Sequence, residues 1–344
     1  MEEVIKIGAL IGRGDFDWQA GANSPIVRKV ILKGGNWKEK AIPNEIQVVG
    51  YGTDKQYDTL ECGLFNGLTD CLEYLIMEML RQNLIPAETV NWLKDPVVNG
   101  KHYPSYFKDG YINFNERYSA IKGGITNQGT YQYKNANGAK NWGLIPNDMF
   151  PHADNFADEI NPAFLTEEME AVGKEFLKHL AINYEWVNPD DTMEFLEYSP
   201  MSCIGQYADG EGILNPPTAQ GHNMAEVNET EEYREIDDSY WKQFKKYKKD
   251  KLQSFMAYYI TPLKNNNMDT AKFIKDNDLK WVQITAGQRN GQFGRVLRGK
   301  LMMFISTDRG TLALLDDKMR KEPSVKINQA DFEQLEAAGL VANF

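Results

Sequence analysis

The feature that most constrains the fold is a cysteine at the start of a long apolar run. From Cys62 to about Leu80, apolar residues recur at the spacing of one helix face. They are Phe65, Leu68, Leu72, Leu75, Ile76 and Met79. The pattern predicts a buried helix whose first turn carries Cys62. A thiol at a helix N-terminus lies at the positive end of the macrodipole, which favours the nucleophilic thiolate. The alternative is a small buried apolar residue, as isolated cysteines often are.

Helices and loops are predicted early in the chain, and strands are predicted late. The glycine-rich residues 1–50 are expected to form an arm with short strands, one at 27–32, that belongs to the main domain. A long turn-rich region is expected at 91–150, and a helix is expected from Thr166, a suitable N-cap. Further strands are predicted within the ranges 195–207, 221–230, 233–241 and 255–260. This order predicts an α+β molecule in two lobes.

A short polar segment separates the C-terminal part from the rest of the chain. Residues 262–270, with the sequence PLKNNNMDT, have the composition of a linker. We therefore expect a main domain over residues 51–263 and an accessory extension over residues 264–344. Two strands are predicted in the extension, at 280–285 and 300–307.

Composition limits the classes of partner and compartment. The net charge of −11 argues against nucleic acid as the main partner, because phosphate binding requires a basic surface. Three cysteines without a Cys-x-x-Cys pair argue against a disulfide framework and a zinc site, and favour a reducing compartment. The N-terminal segment lacks the regions of a signal peptide, and no apolar run is long enough to cross a bilayer. We therefore expect a soluble cytoplasmic protein that is not secreted and has no membrane partner.

A nucleophilic cysteine requires a base, a group that orients the base, and donors for the oxyanion. His222 begins one predicted strand and Asp238 ends the next, so neighbouring antiparallel strands can bring the two together. Gln56 stands six residues before Cys62, where its amide can join the Cys62 backbone N–H as a second oxyanion donor. The remaining histidines are interpreted as polar loop residues or, for the last, as a surface or boundary residue: His102, His152 and His179.

Together these residues resemble the pattern of the papain-like cysteine peptidases. In that family a glutamine precedes a cysteine on a helix N-terminus, and a distant histidine is followed by an Asn that occupies the position of Asp238. The resemblance extends over about residues 10–263 and includes the segment 141–152, NWGLIPNDMFPH. It implies a papain-like two-lobe fold, with a helical left lobe and an antiparallel β right lobe, followed by a small C-terminal extension.

The resemblance also implies an activity, the hydrolysis of peptide bonds through a thioester acyl-enzyme. By position, Cys62 is the nucleophile, His222 the base, Asp238 the orienting residue and Gln56 an oxyanion donor. A peptide or protein is then the substrate, and no metal or organic cofactor is implied. The segments GDFDW and DTLEC are similar to those of papain-like proteins encoded by tailed bacteriophages. This similarity implies a location in the bacterial host cytoplasm or in a virion, with other proteins of the phage particle as partners.

Two other functions remain open. Glu61 and Gly63, on either side of the cysteine, depart from the family pattern. They favour a papain-like fold retained as a structural, virion protein with weak or no activity. In the other alternative, the Cys/His pair hydrolyses a cell-wall amide, although such enzymes usually have a shorter core and a basic wall-binding module.

A basic run begins four residues after Asp238. Residues 242–251, KQFKKYKKDK, are interpreted as a solvated strand or loop that the preceding acidic residues partly neutralise. The alternative is a basic and aromatic patch that contacts nucleic acid.

Overall fold

The computed structural model of the chain describes part of its 344 residues. The described residues are 9–10, 19–20, 24, 26, 28–43, 62, 65–153, 155–206, 212–214, 221–238, 244–263, 281–284, 293–297, 300–303, 324–327, 332 and 341–343. The chain divides into two compact units, Met1–Pro262 and Leu263–Phe344.

The α-helices whose bounds the structure describes lie in the first unit. They are α1 (Cys71–Arg81), α2 (Ala87–Lys94), α3 (Glu116–Lys122), α4 (Gln132–Trp142), α5 (Phe156–Glu159), α6 (Glu167–His179) and α7 (Thr192–Phe195). Helix α6 begins as predicted, because the Thr166 side chain accepts a hydrogen bond of 3.2 Å from the Met169 backbone N–H. None of the helices in the described residues has the length and apolar character needed to cross a membrane.

The strands of the first unit fall into short pairs and one large sheet. In chain order they are β1 (Ala9–Leu10), β2 (Val97–Val98), β3 (Lys101–His102), β4 (Phe107–Lys108), β5 (Tyr111–Ile112), β6 (Thr130–Tyr131), β7 (Leu180–Val187), β8 (Met201–Gln206), β9 (Ile213–Leu214), β10 (Gly221–Glu229), β11 (Tyr233–Asp237), β12 (Phe244–Lys248) and β13 (Leu252–Pro262). The four strands predicted after residue 195 correspond to β8, β10, β11 and β13.

The large sheet has seven strands within the described residues. Its order is β7-β13-β8-β10-β11-β12-β9, and all neighbours are antiparallel except β12 and β9. Helix α1 packs against β13, while α4 and α6 pack against each other and against β7. Most helices therefore precede the sheet in sequence, and the α+β class predicted from that order is confirmed.

The segment after Cys62 departs from the predicted regular α-helix. Phe65–Asp70 is a π-helical segment, and the α-helix Cys71–Arg81 follows it directly. The Tyr258 hydroxyl donates a hydrogen bond of 2.7 Å to the Gly67 carbonyl oxygen inside the π-helical segment. Strand β13 therefore supplies a hydrogen-bond donor to the backbone of the π-helical segment. Single π-helical turns of this kind frequently occur at functional sites.

Two other regions differ from the sequence-based prediction. Residues 28–32 form no strand, because the backbone N–H groups of Ile31 and Leu32 both donate to the Glu197 carbonyl oxygen. The region 91–150 contains the helices α3 and α4, so it is more helical than its glycine and asparagine content suggested.

The second unit contains a five-stranded sheet within its described residues. The strands are β14 (Trp281–Ile284), β15 (Phe293–Leu297), β16 (Lys300–Met303), β17 (Ser324–Ile327) and β18 (Val341–Asn343), in the order β17-β14-β15-β16-β18. The strands β14 and β16 lie within the two ranges predicted for this part of the chain.

Candidate active site

Three of the four residues expected to form a site lie together in the first unit. Cys62 has helical backbone conformation shortly before the π-helical segment, and its side chain is hydrogen-bonded to His222 near the start of β10. The ring Nε2 of His222 lies 3.0 Å from Oδ1 of Asp238, directly after β11. We call Cys62, His222 and Asp238 the candidate triad. One imidazole thus contacts both a thiol and a carboxylate.

Gln56, the fourth expected residue, lies outside the described residues. Its role as an oxyanion donor stays a prediction. The immediate neighbours of the cysteine, Glu61 and Gly63, also lie outside them.

Charges raise the proton affinity of the imidazole. Burial lowers the pKa of His222, but the charge and hydrogen bond of Asp238 and the contact with Cys62 outweigh burial and raise the pKa to about 9. Burial raises the pKa of Asp238, whereas His222 and Lys245 lower it, and the net result is a pKa below the usual value. At neutral pH, His222 therefore carries a proton and Asp238 is ionised.

Lys245 contacts the triad, although the sequence predicted that it is solvated. Lys245 Nζ lies 2.9 Å from Asp238 Oδ2, and neither side chain has any exposed surface. The solvated interpretation of the run 242–251 is therefore wrong for this residue. Strand alternation was the available signal, because Lys245 and the buried Tyr247 occupy the same face of β12.

A close contact between helix and sheet positions the triad. Gly67 in the π-helical segment lies directly against the side chain of Asn223, the residue that follows His222 on β10. Any Cβ at position 67 would overlap the terminal atoms of Asn223. The segment that follows Cys62 and the strand that carries His222 are therefore held at a fixed, short separation.

Buried hydrogen bonds fix the orientation of Asn223. Its Oδ1 accepts a hydrogen bond of 2.9 Å from the Ser202 hydroxyl of β8, and Ser202 Oγ in turn accepts one of 2.8 Å from Gln132 Nε2 of α4. Gln132 also donates to the Ser254 carbonyl oxygen at 2.9 Å. Because Asn223, Ser202 and Gln132 are buried, breaking one of the hydrogen bonds among them leaves a buried polar atom without a partner. The network therefore links α4 to β8, to β13 and to β10, the strand that carries His222.

The triad is closed in this structure. Cys62, His222 and Asp238 each have 0% relative exposure. A substrate carbonyl must come within contact distance of the sulfur, so catalysis at this site requires an opening movement.

The other histidines lie elsewhere. His102 is exposed and pairs with Asp95 at 2.7 Å. His179 is buried and stacks on Trp92, with ring centroids 4.3 Å apart, so its assignment to the surface or boundary is wrong. His152 is also largely shielded rather than a solvated loop residue, and its Nδ1 lies 2.5 Å from Oε1 of Glu159.

The other two cysteines differ from Cys62 in their surroundings. Cys71 on α1 and Cys203 on β8 are fully buried, and burial raises the pKa of both thiols well above the usual value. Nearby carboxylates, Asp70 for Cys71 and Glu226 for Cys203, raise it further. Both thiols are therefore held in the protonated, weakly nucleophilic form.

No group of three or more metal-ligating side chains occurs among the residues that the structure describes. No protein-family model matches the sequence, and no curated protein matches it either.

Proposed function

We propose that the chain is a papain-like cysteine peptidase whose active site is the candidate triad with Gln56. The observation that carries the proposal is the position of His222, whose side chain contacts Cys62 and whose Nε2 lies 3.0 Å from Asp238. A nucleophilic cysteine requires a base in contact with the sulfur and a third group that orients the base. The proposal includes a cleft between a helical lobe, which supplies Cys62, and a β lobe, which supplies His222 and Asp238.

Each residue has a defined step. The Cys62 thiolate, paired with the His222 imidazolium, attacks the peptide carbonyl carbon to give a tetrahedral oxyanion. The Gln56 amide and the Cys62 backbone N–H donate hydrogen bonds to that oxyanion. His222 gives its proton to the leaving amine, and a thioester with Cys62 remains. His222 then takes a proton from water, whose oxygen attacks the thioester and releases the acid and the thiolate.

The raised pKa of His222 supports this sequence of steps. With a pKa of about 9, the imidazole is protonated at neutral pH and can stabilise an adjacent thiolate. The same proton is then available for the leaving amine. Asp238 keeps Nε2 as a donor towards its carboxylate, which fixes the ring in the orientation that contacts Cys62.

A direct test is cleavage of an unfolded protein by the full chain. Denatured casein incubated with the wild-type chain should give fragments in mass spectrometry, and the Cys62→Ala variant should give none. Removal of the sulfur opens little space, so circular dichroism should show the same fold for the variant. Equal fragmentation by both chains, or none by either, would contradict the proposal. Clearing of a bacterial cell-wall suspension without casein cleavage would instead support the amide-hydrolase alternative.

The burial of the triad favours one second function. Because Cys62, His222 and Asp238 have 0% relative exposure, the closed site is also suited to a papain-like scaffold retained for assembly. In that case the protein is a structural part of a larger particle, such as a bacteriophage virion, and its triad stabilises the fold. Location in a host cytoplasm or in a virion belongs to the same proposal.

A further inference from the structure

The carboxylate of Asp238 bridges two cationic side chains. Its Oδ1 lies 3.0 Å from Nε2 of His222, and its Oδ2 lies 2.9 Å from Nζ of Lys245. The side chains of His222, Asp238 and Lys245 have no exposed surface. Lys245 as a whole residue is 3% exposed. Lys245 therefore supplies the second partner of the carboxylate.

The position of Lys245 follows from the register of the sheet. Lys245 pairs with Ile236 of β11, and the neighbouring pair is Phe244 with Asp237, so Lys245 lies near the end of β11 where Asp238 follows. Along β12, Lys245 and Tyr247 are buried, whereas Lys246 is partly exposed and Lys248 is exposed. Lys245 is thus placed inward by strand alternation within a run of outward lysines.

The charges within the buried site balance only when Lys245 is included. A thiolate on Cys62 and an imidazolium on His222 neutralise each other, which leaves the negative charge of Asp238. An uncompensated charge in a protein interior is strongly unfavourable. The Lys245 ammonium offsets this charge, and by holding Oδ2 it leaves Oδ1 directed at the imidazole.

We propose that Lys245 is a positioning residue of this site, which holds the Asp238 carboxylate against His222 and balances its charge. Lys245 thereby offsets part of the negative charge of the Asp238 carboxylate that accepts the hydrogen bond of His222. A role of Lys245 in catalysis rests on the proposed function, because it requires that Cys62, His222 and Asp238 are catalytic. The charge balance itself can be measured without any activity.

The test is a histidine titration of the full chain by NMR, with ring carbons labelled. The sequence contains only four histidines, and the His222→Gln variant identifies the signal of His222. Lys245→Met removes the ammonium and retains an unbranched apolar side chain. Lys246→Met is the matched control, because Lys246 is the next residue of the same strand and contacts Tyr233 at 3.0 Å instead of Asp238.

Removal of a nearby positive charge makes protonation of an imidazole easier. We therefore expect Lys245→Met to raise the apparent pKa of His222 by roughly one unit. The combined Asp238→Asn and Lys245→Met variant should bring the pKa below that of the wild-type protein. Lys246→Met should leave it unchanged. Equal titrations of His222 in Lys245→Met and Lys246→Met would overturn the inference, since a purely structural lysine leaves the titration unmoved.

Thermal melting provides a second readout if Lys245→Met folds poorly. With Asp238 present, Lys245→Met should lower the melting temperature. In the Asp238→Asn background, the same substitution should raise it, because the buried ammonium there has lost its carboxylate. A decrease of similar size in both backgrounds would contradict the charge balance. If the wild-type chain cleaves no substrate but His222 still responds to Lys245, the proposed function fails and the charge balance remains.

Discussion

Gly67 and Asn223 are in such close contact that a side chain at position 67 would prevent the π-helical segment from packing against β10. All three terminal atoms of the Asn223 side chain lie in the space that a Cβ on Gly67 would occupy. Asn223 is held in place by the Ser202 hydroxyl at 2.9 Å, so it cannot turn aside without losing a buried hydrogen bond. The contact lies five residues after Cys62 and one residue after His222, so it sets the distance between nucleophile and base.

Substitution of Gly67→Ala should therefore separate Cys62 from His222. The added methyl group forces the π-helical segment away from β10, and overpacking of this kind costs about 1–3 kcal/mol of stability. We expect a lower midpoint in urea unfolding, and a loss of casein cleavage of more than about tenfold at temperatures where the variant is folded.

Gly173→Ala is the matched control for this effect. Gly173 lies on α6, and a Cβ there would overlap the Trp142 carbonyl oxygen and the Tyr118 hydroxyl, away from the triad. It should lower stability by a similar amount and leave activity per folded molecule unchanged. Equal losses of activity in the two variants would show that the Gly67 contact has no special role in the site.

The three cysteines should differ in reactivity towards iodoacetamide. At about pH 7 we expect Cys62 to be alkylated at least tenfold faster than Cys71 or Cys203, because only Cys62 contacts a protonated imidazole. Mass spectrometry of the labelled peptides measures the three rates in one sample. His222→Gln should slow the labelling of Cys62, and His179→Gln, at the end of α6 where His179 stacks on Trp92, should not. Protection of Cys62 equal to that of the other two thiols would favour the scaffold function, in agreement with its burial.

The predicted oxyanion donor can be tested separately from the nucleophile. Gln56→Ala should reduce kcat by about 100-fold to 1,000-fold, the usual effect of removing one oxyanion donor. The rate of Cys62 alkylation should stay the same, because iodoacetamide forms no tetrahedral oxyanion. A parallel fall in both rates would assign Gln56 to the fold instead of the oxyanion.

The sequence could predict the parts of the molecule that depend on local patterns. The order of helices and strands indicates the α+β class, and the N-cap of α6 at Thr166 follows from residue type alone. His222 and Asp238 could be paired because Asp238 follows His222 by sixteen positions, with His222 on one strand and Asp238 directly after the next. In each case the relevant information lies within about twenty residues of the chain.

The features that were not predicted depend on contacts between distant segments. The π-helical geometry of Phe65–Asp70 accompanies a hydrogen bond from Tyr258, which is 191 residues away from Gly67. His152 is shielded because α3 and α5 place Glu116 and Glu159 around it, although its local sequence is that of a polar loop. The alternation of inward and outward residues along β12 places Lys245 on the buried face with Tyr247, but the surrounding lysines suggested a solvated strand.

The cluster around His152 should make stability depend on pH above neutrality. Burial lowers the pKa of His152, but hydrogen bonds and charges from Glu116 and Glu159 outweigh it and raise the pKa to about 9. Two further titratable groups face this cluster: Arg117, whose Nε lies 3.5 Å from Oε2 of Glu159, and Glu73, whose carboxyl interacts with that of Glu116. The folded-state pKa lies above the value of about 6.5 expected in the unfolded chain. The stabilisation is therefore complete below pH 6.5 and is lost as the pH rises through about 9.

Urea unfolding at about pH 6 and about pH 10 measures this contribution. The raised pKa corresponds to a loss on the order of 3 kcal/mol in the free energy of unfolding over that range. His222, which has a similar pKa, adds to the loss in the same window. His152→Gln should therefore remove part of the pH dependence and leave the His222 part. His102→Gln is the control, because His102 is exposed, and it should leave the dependence unchanged. If His152→Gln and the wild-type chain lose the same stability between the two pH values, the glutamates do not hold a proton on His152 in the folded protein.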